Sequence, residues 1–181
     1  MTQQTRNGWF NQCCLSEPSR PLTHTLGYAF RGILEAYLYS NNPLFLDASK
    51  KTADGFLKAM RIDGFLPGHI LSDWKGDVVW ACLTGTVQVA YCWLLLYQIS
   101  GNELYRDAAY SANRFVRRTM RVSGAPEQCG GIKGAFPVDG AYHDYNYINW
   151  ACKFFIDSNV LEREIRENEG KRIDGYKLAS P

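Results

Sequence analysis

The sequence predicts an all-α protein built as an array of α/α hairpins, and three observations predict it. The chain matches itself at an offset of 60: Leu34, Ala36, Tyr37, Asn42, Leu44, Asp47, Ala48, Met60, Arg61 and Gly64 fall opposite Leu94, Leu96, Tyr97, Asn102, Leu104, Asp107, Ala108, Met120, Arg121 and Gly124. All but one of these pairs are identities, and the match needs no gap. Each repeat reads as two helices around a tight turn. No segment alternates convincingly with period two, as a half-buried strand would.

Residues 25–40 (TLGYAFRGILEAYLYS) are almost uniformly apolar or small, which predicts an inner helix covered on most sides. Asn41-Asn42-Pro43 supplies the turn. Residues 44–60 form an amphipathic outer helix, with Phe45, Ala48, Thr52, Phe56 and Met60 three to four apart. The second repeat has the inner segment 82–99, the turn Ser100-Gly101-Asn102 and a second outer helix. A partial third copy sets Ala151, Phe154 and Phe155 opposite Ala90, Trp93 and Leu94. Long loops rich in Gly and Pro, roughly 61–80 and 121–147, follow the outer helices, and 7–23 takes the same place before the first inner helix. All three are therefore expected at one end of the array, against the N-termini of the inner helices.

Composition narrows the function. With 181 residues, 46% hydrophobic and 14% aromatic, the chain can bury one core and is not a disordered or fibrous protein. The net charge of +2 is spread without a basic stripe, so no nucleic acid partner is expected. The longest strongly apolar run, Ala90 to Tyr97, falls short of the ~20 residues that span a bilayer, so no membrane insertion is expected. The N-terminal stretch has no signal-like apolar core, which predicts a cytoplasmic protein with its six cysteines reduced. No CxxC or HxxxH pair occurs, and neither a metal nor a cofactor is expected.

The long apolar inner helix, the Gly101 to Tyr105 turn entering an Ala-rich outer helix, and Asp63-Gly64 in the following loop resemble the hairpins of α/α-toroid proteins, the six-hairpin glycosidase-like and terpenoid-cyclase-like barrels. The segments NGWF (7–10), PLTHT (21–25), CLTG (82–85), GGIKGAFP (130–137) and YNYINWACKFF (145–155) are similar to the C-terminal half of an uncharacterised bacterial family of such toroids associated with polysaccharide biosynthesis. The resemblance covers about residues 7–160 and implies a partial (α/α) toroid and a carbohydrate-active or polysaccharide-associated role. The toroid hosts hydrolases, lyases, epimerases and cyclases alike, so the fold does not choose among them. Six hairpins at this repeat length call for about 360 residues, whereas this chain holds two and a half. No DDxxD-like cluster or DxDD is present, which disfavours terpenoid-type cyclase chemistry.

The loop end gathers the candidate site. Trp9, Trp74, Trp80, Tyr142, Tyr145, Tyr147 and Trp150 are candidate stacking platforms for pyranose faces, with Asn149 beside them. The same aromatics would also serve simply to cap a helical array. Asp73, Asp77, Asp139 and Asp144 are candidate acid and base groups for glycosidic chemistry, although Asp is more often a turn or N-cap residue. His24 at the start of the first inner helix and His143 beside Asp144 are the candidate imidazoles. Lys133, among glycines that let backbone amides approach an anion, is the candidate cation for a uronate or phosphate. The surrounding pattern is not that of a P-loop.

The expected organisation is a hairpin domain over 1–160 and a polar helix end and tail over 161–181, where five acidic and five basic residues leave little apolar face. The leading reading is a saccharide- or polysaccharide-binding protein whose loop end could carry hydrolase, lyase or epimerase chemistry. The alternative is a non-catalytic scaffold or accessory protein that associates through exposed inner helices. In either case a homodimer or a partner completing the barrel is expected, because an incomplete ring leaves Leu26, Phe30 and Ile33 uncovered at one edge and Trp150, Phe154 and Phe155 at the other.

Overall fold

The computed structural model describes residues 3–177, with side chains described to Glu169. Five helices follow in order: α1 (Thr23–Ser40), α2 (Pro43–Ala59), α3 (Leu83–Ser100), α4 (Glu103–Thr119) and α5 (Asn149–Lys177). Helices α1, α3 and α5 are the inner row, with α3 in the middle and packed on both neighbours, while α2 backs α1 and α4 backs α3. One addition to the all-helical expectation is a two-stranded antiparallel sheet of β1 (Ala81–Cys82) and β2 (Ala135–Phe136). It is too short to leave a periodicity in the sequence.

The repeat survives in the capping chemistry. Asn42 Oδ1 accepts from Leu44 N at 3.0 Å, and Asn102 Oδ1 accepts from Leu104 N at 3.1 Å, so the outer helices start identically. Asn41 and Gly101 close the preceding inner helices in the left-handed region, at φ 53° and 69°.

Helix α3 is buried almost all round, as an inner helix with neighbours on both sides must be. Trp93 Nε1 donates to Ala53 O of α2 at 3.2 Å, joining the two hairpins through the core. Arg31 of α1 sits 4.6 Å from the Tyr91 ring of α3 and 3.6 Å from Asp157 of α5, and Tyr28 of α1 meets Phe154 of α5 at 5.7 Å. Because α1 and α5 reach each other across α3, the inner row curves and this face is its concave side.

Helical phase corrects the expected open edges. Leu26 and Phe30 are fully buried, Phe30 stacking on Phe56 of α2 at 5.9 Å, and Phe154 is buried against α1. The open flank of α1 is formed by Ile33 together with Ala29, Gly32 and Ala36, bordered by Phe10 and Phe45. Helix α5 runs unbroken past 160. Glu162 and Ile165 are buried, and Glu169 accepts from Tyr97 Oη at 2.8 Å, because α5 continues along α3 and α4. Of the expected tail, residues 178–181 lie outside the described residues. Among the described residues no helix is long and apolar enough to cross a membrane.

Candidate functional site at the loop end of the inner helices

The three long loops meet at the N-termini of the inner helices and are stitched together by backbone. Thr23 N donates to Gly68 O at 2.9 Å, Gly68 N to Trp80 O at 2.8 Å, and Leu83 N to Gly134 O at 3.0 Å. Leu22 bridges His69, and β1 pairs with β2, so segments 3–22, 60–82 and 120–148 share one end. A depression there is lined by Glu17, Arg20, Leu22, His69 and Ala141.

Beside it, five rings converge from three elements. His24 of α1 lies 4.7 Å from Tyr28 and 5.5 Å from Tyr142. Tyr142 is 4.9 Å from His143, which is 5.2 Å from Trp150 at the start of α5. Trp150 Nε1 donates to Tyr142 Oη at 3.0 Å, fixing loop to helix. His143 and Tyr145 hold left-handed backbones, at φ 48° and 59°, so this loop carries local strain where it presents its rings.

The His24 ring is nearly enclosed, at 8% exposure, and its Nδ1 is 2.8 Å from Gln88 Oε1 of α3. Burial pushes the imidazole below its ordinary value of 6.5 against the opposing effect of Gln88, with His143 adding to the depression. His24 is therefore neutral at pH 7. Burial likewise pushes Tyr142 up to about 12, so its phenol stays protonated and able to donate. Close helix approach makes this geometry possible: a Cβ on Gly27 would lie 3.1 Å from Gln88 Oε1, and one on Gly85 would lie 2.6 Å from His24 N.

The remaining sequence candidates divide. Trp9 and Trp74, at 3% and 2% exposure, are a T-shaped core pair at 5.4 Å, with Trp74 Nε1 donating to Asn7 O at 3.0 Å. Neither offers a face to a ligand, because the 71–76 turn folds Trp74 down onto Phe56 and Gly55 of α2. Trp80 is half-buried, laid over Gly68 and edge-on to His69 at 5.4 Å. Asp73 is a turn residue whose carboxylate accepts from Lys75 N at 3.1 Å and pairs with Lys75 Nζ at 2.8 Å, which holds it below its usual range. Asp139, Asp144 and Tyr145 are exposed on the loop that carries His143. Lys133 and Tyr147 pair across that loop, the ammonium 5.9 Å from the ring. Asn149 opens α5 and its Oδ1 accepts from Trp150 N at 2.8 Å.

Sequence reasoning missed Tyr28, Arg31, Gln88 and Tyr91. The signal was present: 24, 28 and 31 share a helical face, and the offset of 60 carries that face onto 84, 88 and 91. Among the described residues no three His, Cys, Asp or Glu side chains gather as a metal site.

No family model matches the sequence, and no curated protein matches it. Solved structures match it in fold. Unsaturated glucuronyl hydrolase from Bacillus sp. GL1 superposes with a TM-score of 0.63 at 18% identity, covering 82% of this chain and 41% of that one. Cellobiose 2-epimerase from Spirochaeta thermophila gives 0.61 at 16% identity, covering 81% and 36%. An alpha-amylase from Clostridium perfringens gives 0.60 at 15% identity, covering 93% and 52%. These are α/α-toroid proteins, and the chain has that fold. It spans between about a third and a half of the length of each.

Proposed function

We propose that this is a carbohydrate-active protein that binds a saccharide at the loop end of its inner helices, with His24, Tyr28, Tyr142, His143 and Trp150 as the binding surface. The observation that carries the reading is the convergence of two imidazoles and three aromatic side chains at the N-termini of α1 and α5, in a fold whose solved neighbours include an epimerase and a hydrolase named for saccharides. Aromatic faces suit pyranose C–H surfaces, and the neutral His24 imidazole suits proton transfer near neutral pH. Asp139 and Asp144 are the carboxylates on the same loop available for acid or base work, and Lys133 is the cation available to a uronate. Hydrolase, lyase and epimerase chemistry are all compatible with that set. The cytoplasmic setting and the link to polysaccharide biosynthesis belong to the same proposal.

Calorimetric titration with neutral and uronate-containing oligosaccharides tests it. Trp150→Ala is expected to weaken binding by ~1 to 2 kcal/mol without unfolding the protein. A folded sample that binds no saccharide at millimolar concentration removes the reading in favour of the scaffold alternative.

One observation favours association as well. The open flank of α1, Ala29, Gly32, Ile33 and Ala36, corresponds at the offset of 60 to Val89, Cys92, Trp93 and Leu96 of α3, all fully buried against the first hairpin. The repeat thus equips α1 to receive another inner helix, and we propose that a second copy or a partner completes the ring there. Light scattering that finds a stable monomer at micromolar concentration removes this proposal.

A further inference from the structure

We infer that Gln88 is the positioning residue of the His24 imidazole: its side-chain carbonyl takes the Nδ1 proton and leaves Nε2 as the ring's free acceptor at the loop-end site. The inference rests on the reading of that end as the saccharide site, and it adds which nitrogen works there and what selects it.

Gln88 is 1% exposed, on a helix whose other buried residues are Leu, Val, Ala, Cys, Trp, Thr and Gly. A buried amide without full hydrogen bonding is destabilising, so an apolar residue of this volume would serve packing alone better. The Gln88 carbonyl has one partner, His24 Nδ1 at 2.8 Å, while its Nε2 has no hydrogen-bond partner. One turn earlier on the same face, the Thr84 hydroxyl is buried beside the Tyr142 phenol. An unmet amide nitrogen and a buried hydroxyl on one face mark this side of α3 as built for something other than a dry core.

The amide is held in place by packing. Its Oε1 lies where a Cβ on Gly27 would come within 3.1 Å, and Gly85 brings α1 and α3 close enough to deliver His24. The titratable groups facing the imidazole are Tyr28 from its own helix and Tyr142 and His143 from the 120–148 loop, while the Cys82 thiol at the cap of α3 lies against the His24 backbone. None of these is a carboxylate. A neutral amide orients the ring without adding the negative charge that would favour the imidazolium. Protonation at Nε2 then leaves the Nδ1–H bond to Gln88 intact, and loss of that proton restores the same tautomer.

The test is a long-range proton–nitrogen correlation spectrum of the full chain labelled with 15N-histidine. The chain has three histidines, and His24 is assigned by its loss in His24→Gln. The wild-type protein is expected to hold His24 in the Nδ1–H tautomer. Gln88→Met, of similar size and without an acceptor, is expected to shift the tautomer ratio about tenfold toward Nε2–H. Gln88→Glu keeps an acceptor and is expected to retain the Nδ1–H form while moving the His24 titration midpoint to higher pH. If Gln88→Met does not fold, the wild-type and Gln88→Glu spectra decide. A wild-type ring in the Nε2–H form, or a Gln88→Met ring with the wild-type ratio, overturns the inference. Saccharide binding with the Nε2–H tautomer would sink this assignment alone, whereas the Nδ1–H tautomer with no saccharide bound would sink the binding reading alone.

Discussion

Gly85 at the first turn of α3 lies against the backbone of Thr23 at the start of α1, so that a Cβ at position 85 would sit 2.7 Å from the Thr23 carbonyl carbon. The obstacle is main chain, which cannot rotate aside. Gly85→Ala is expected to force α1 and α3 apart at the site and destabilise the protein by about 1 to 3 kcal/mol. Chemical denaturation measures the loss, and unchanged stability would show that the two helix starts tolerate separation.

The depressed His24 pKa has a consequence for pH dependence. Because the folded protein holds this imidazole below its ordinary value, the unfolded chain binds the proton more readily, and protonation favours unfolding. The contribution of His24 is fully present above about pH 6.5 and is lost as pH falls through the folded value. His24→Gln is expected to flatten the acid side of the stability profile below about pH 6.5, as thermal melts across pH would show.

Trp74 and Trp150 separate core from site. Trp74→Ala empties a fully packed space between Trp9, Phe56 and Gly55 and is expected to cost about 3 to 5 kcal/mol. Trp150→Ala, at a half-open position, is expected to leave the melting temperature within a few degrees of wild type. Comparable losses of stability in the two variants would contradict this division.

Glu162 is a buried carboxylate that accepts from Asn113 Nδ2 at 2.8 Å, Arg117 Nη1 at 3.0 Å and Arg166 Nε at 2.9 Å. Glu162→Ala leaves the buried Asn113 Nδ2 with only its long 3.4 Å bond to Ser158 O, while both arginines retain access to water. The expected cost is about 2 to 3 kcal/mol, below that of breaking a fully enclosed pair. Denaturant titration of Glu162→Ala and Arg166→Ala, the latter expected to lose under about 1 kcal/mol, checks it.

Thiol reactivity should follow burial. Desolvation pushes Cys13 up to about 11 and Cys82 up to about 12 and raises Cys92 as well, whereas Cys129 is exposed. Alkylation of the native protein at pH 8 is expected to label Cys129 within minutes and to spare Cys82 and Cys92 until denaturant is added. Rapid labelling of Cys92 would mean that α3 is not buried as described.

Much of the candidate site was legible because it depends on chain order. Loops that follow outer helices return to the same end, so chain order alone groups His24, Tyr142, His143 and Trp150. Trp9 and Trp74 carried the same composition and went to the core instead, since periodicity does not report how an irregular 71–76 turn folds back on α2. Gln88 was passed over because, within the apolar run of α3, a single amide resembles a tolerated polar residue until its partner, 64 positions away, is seen.

The sequence by itself determined the helical hairpins, their caps and their order, because helix periodicity, Asn capping and a gapless offset of 60 are local properties repeated along the chain. Only the tertiary structure decided which side of each inner helix meets water. That depends on curvature, which brings Arg31 across Tyr91 to Asp157, and on the phase with which α2 and α4 cover the row. The pairing of His24 with Gln88 belongs to this second class, since it exists only where two glycines let α1 and α3 approach closely enough for an imidazole and an amide to share a proton.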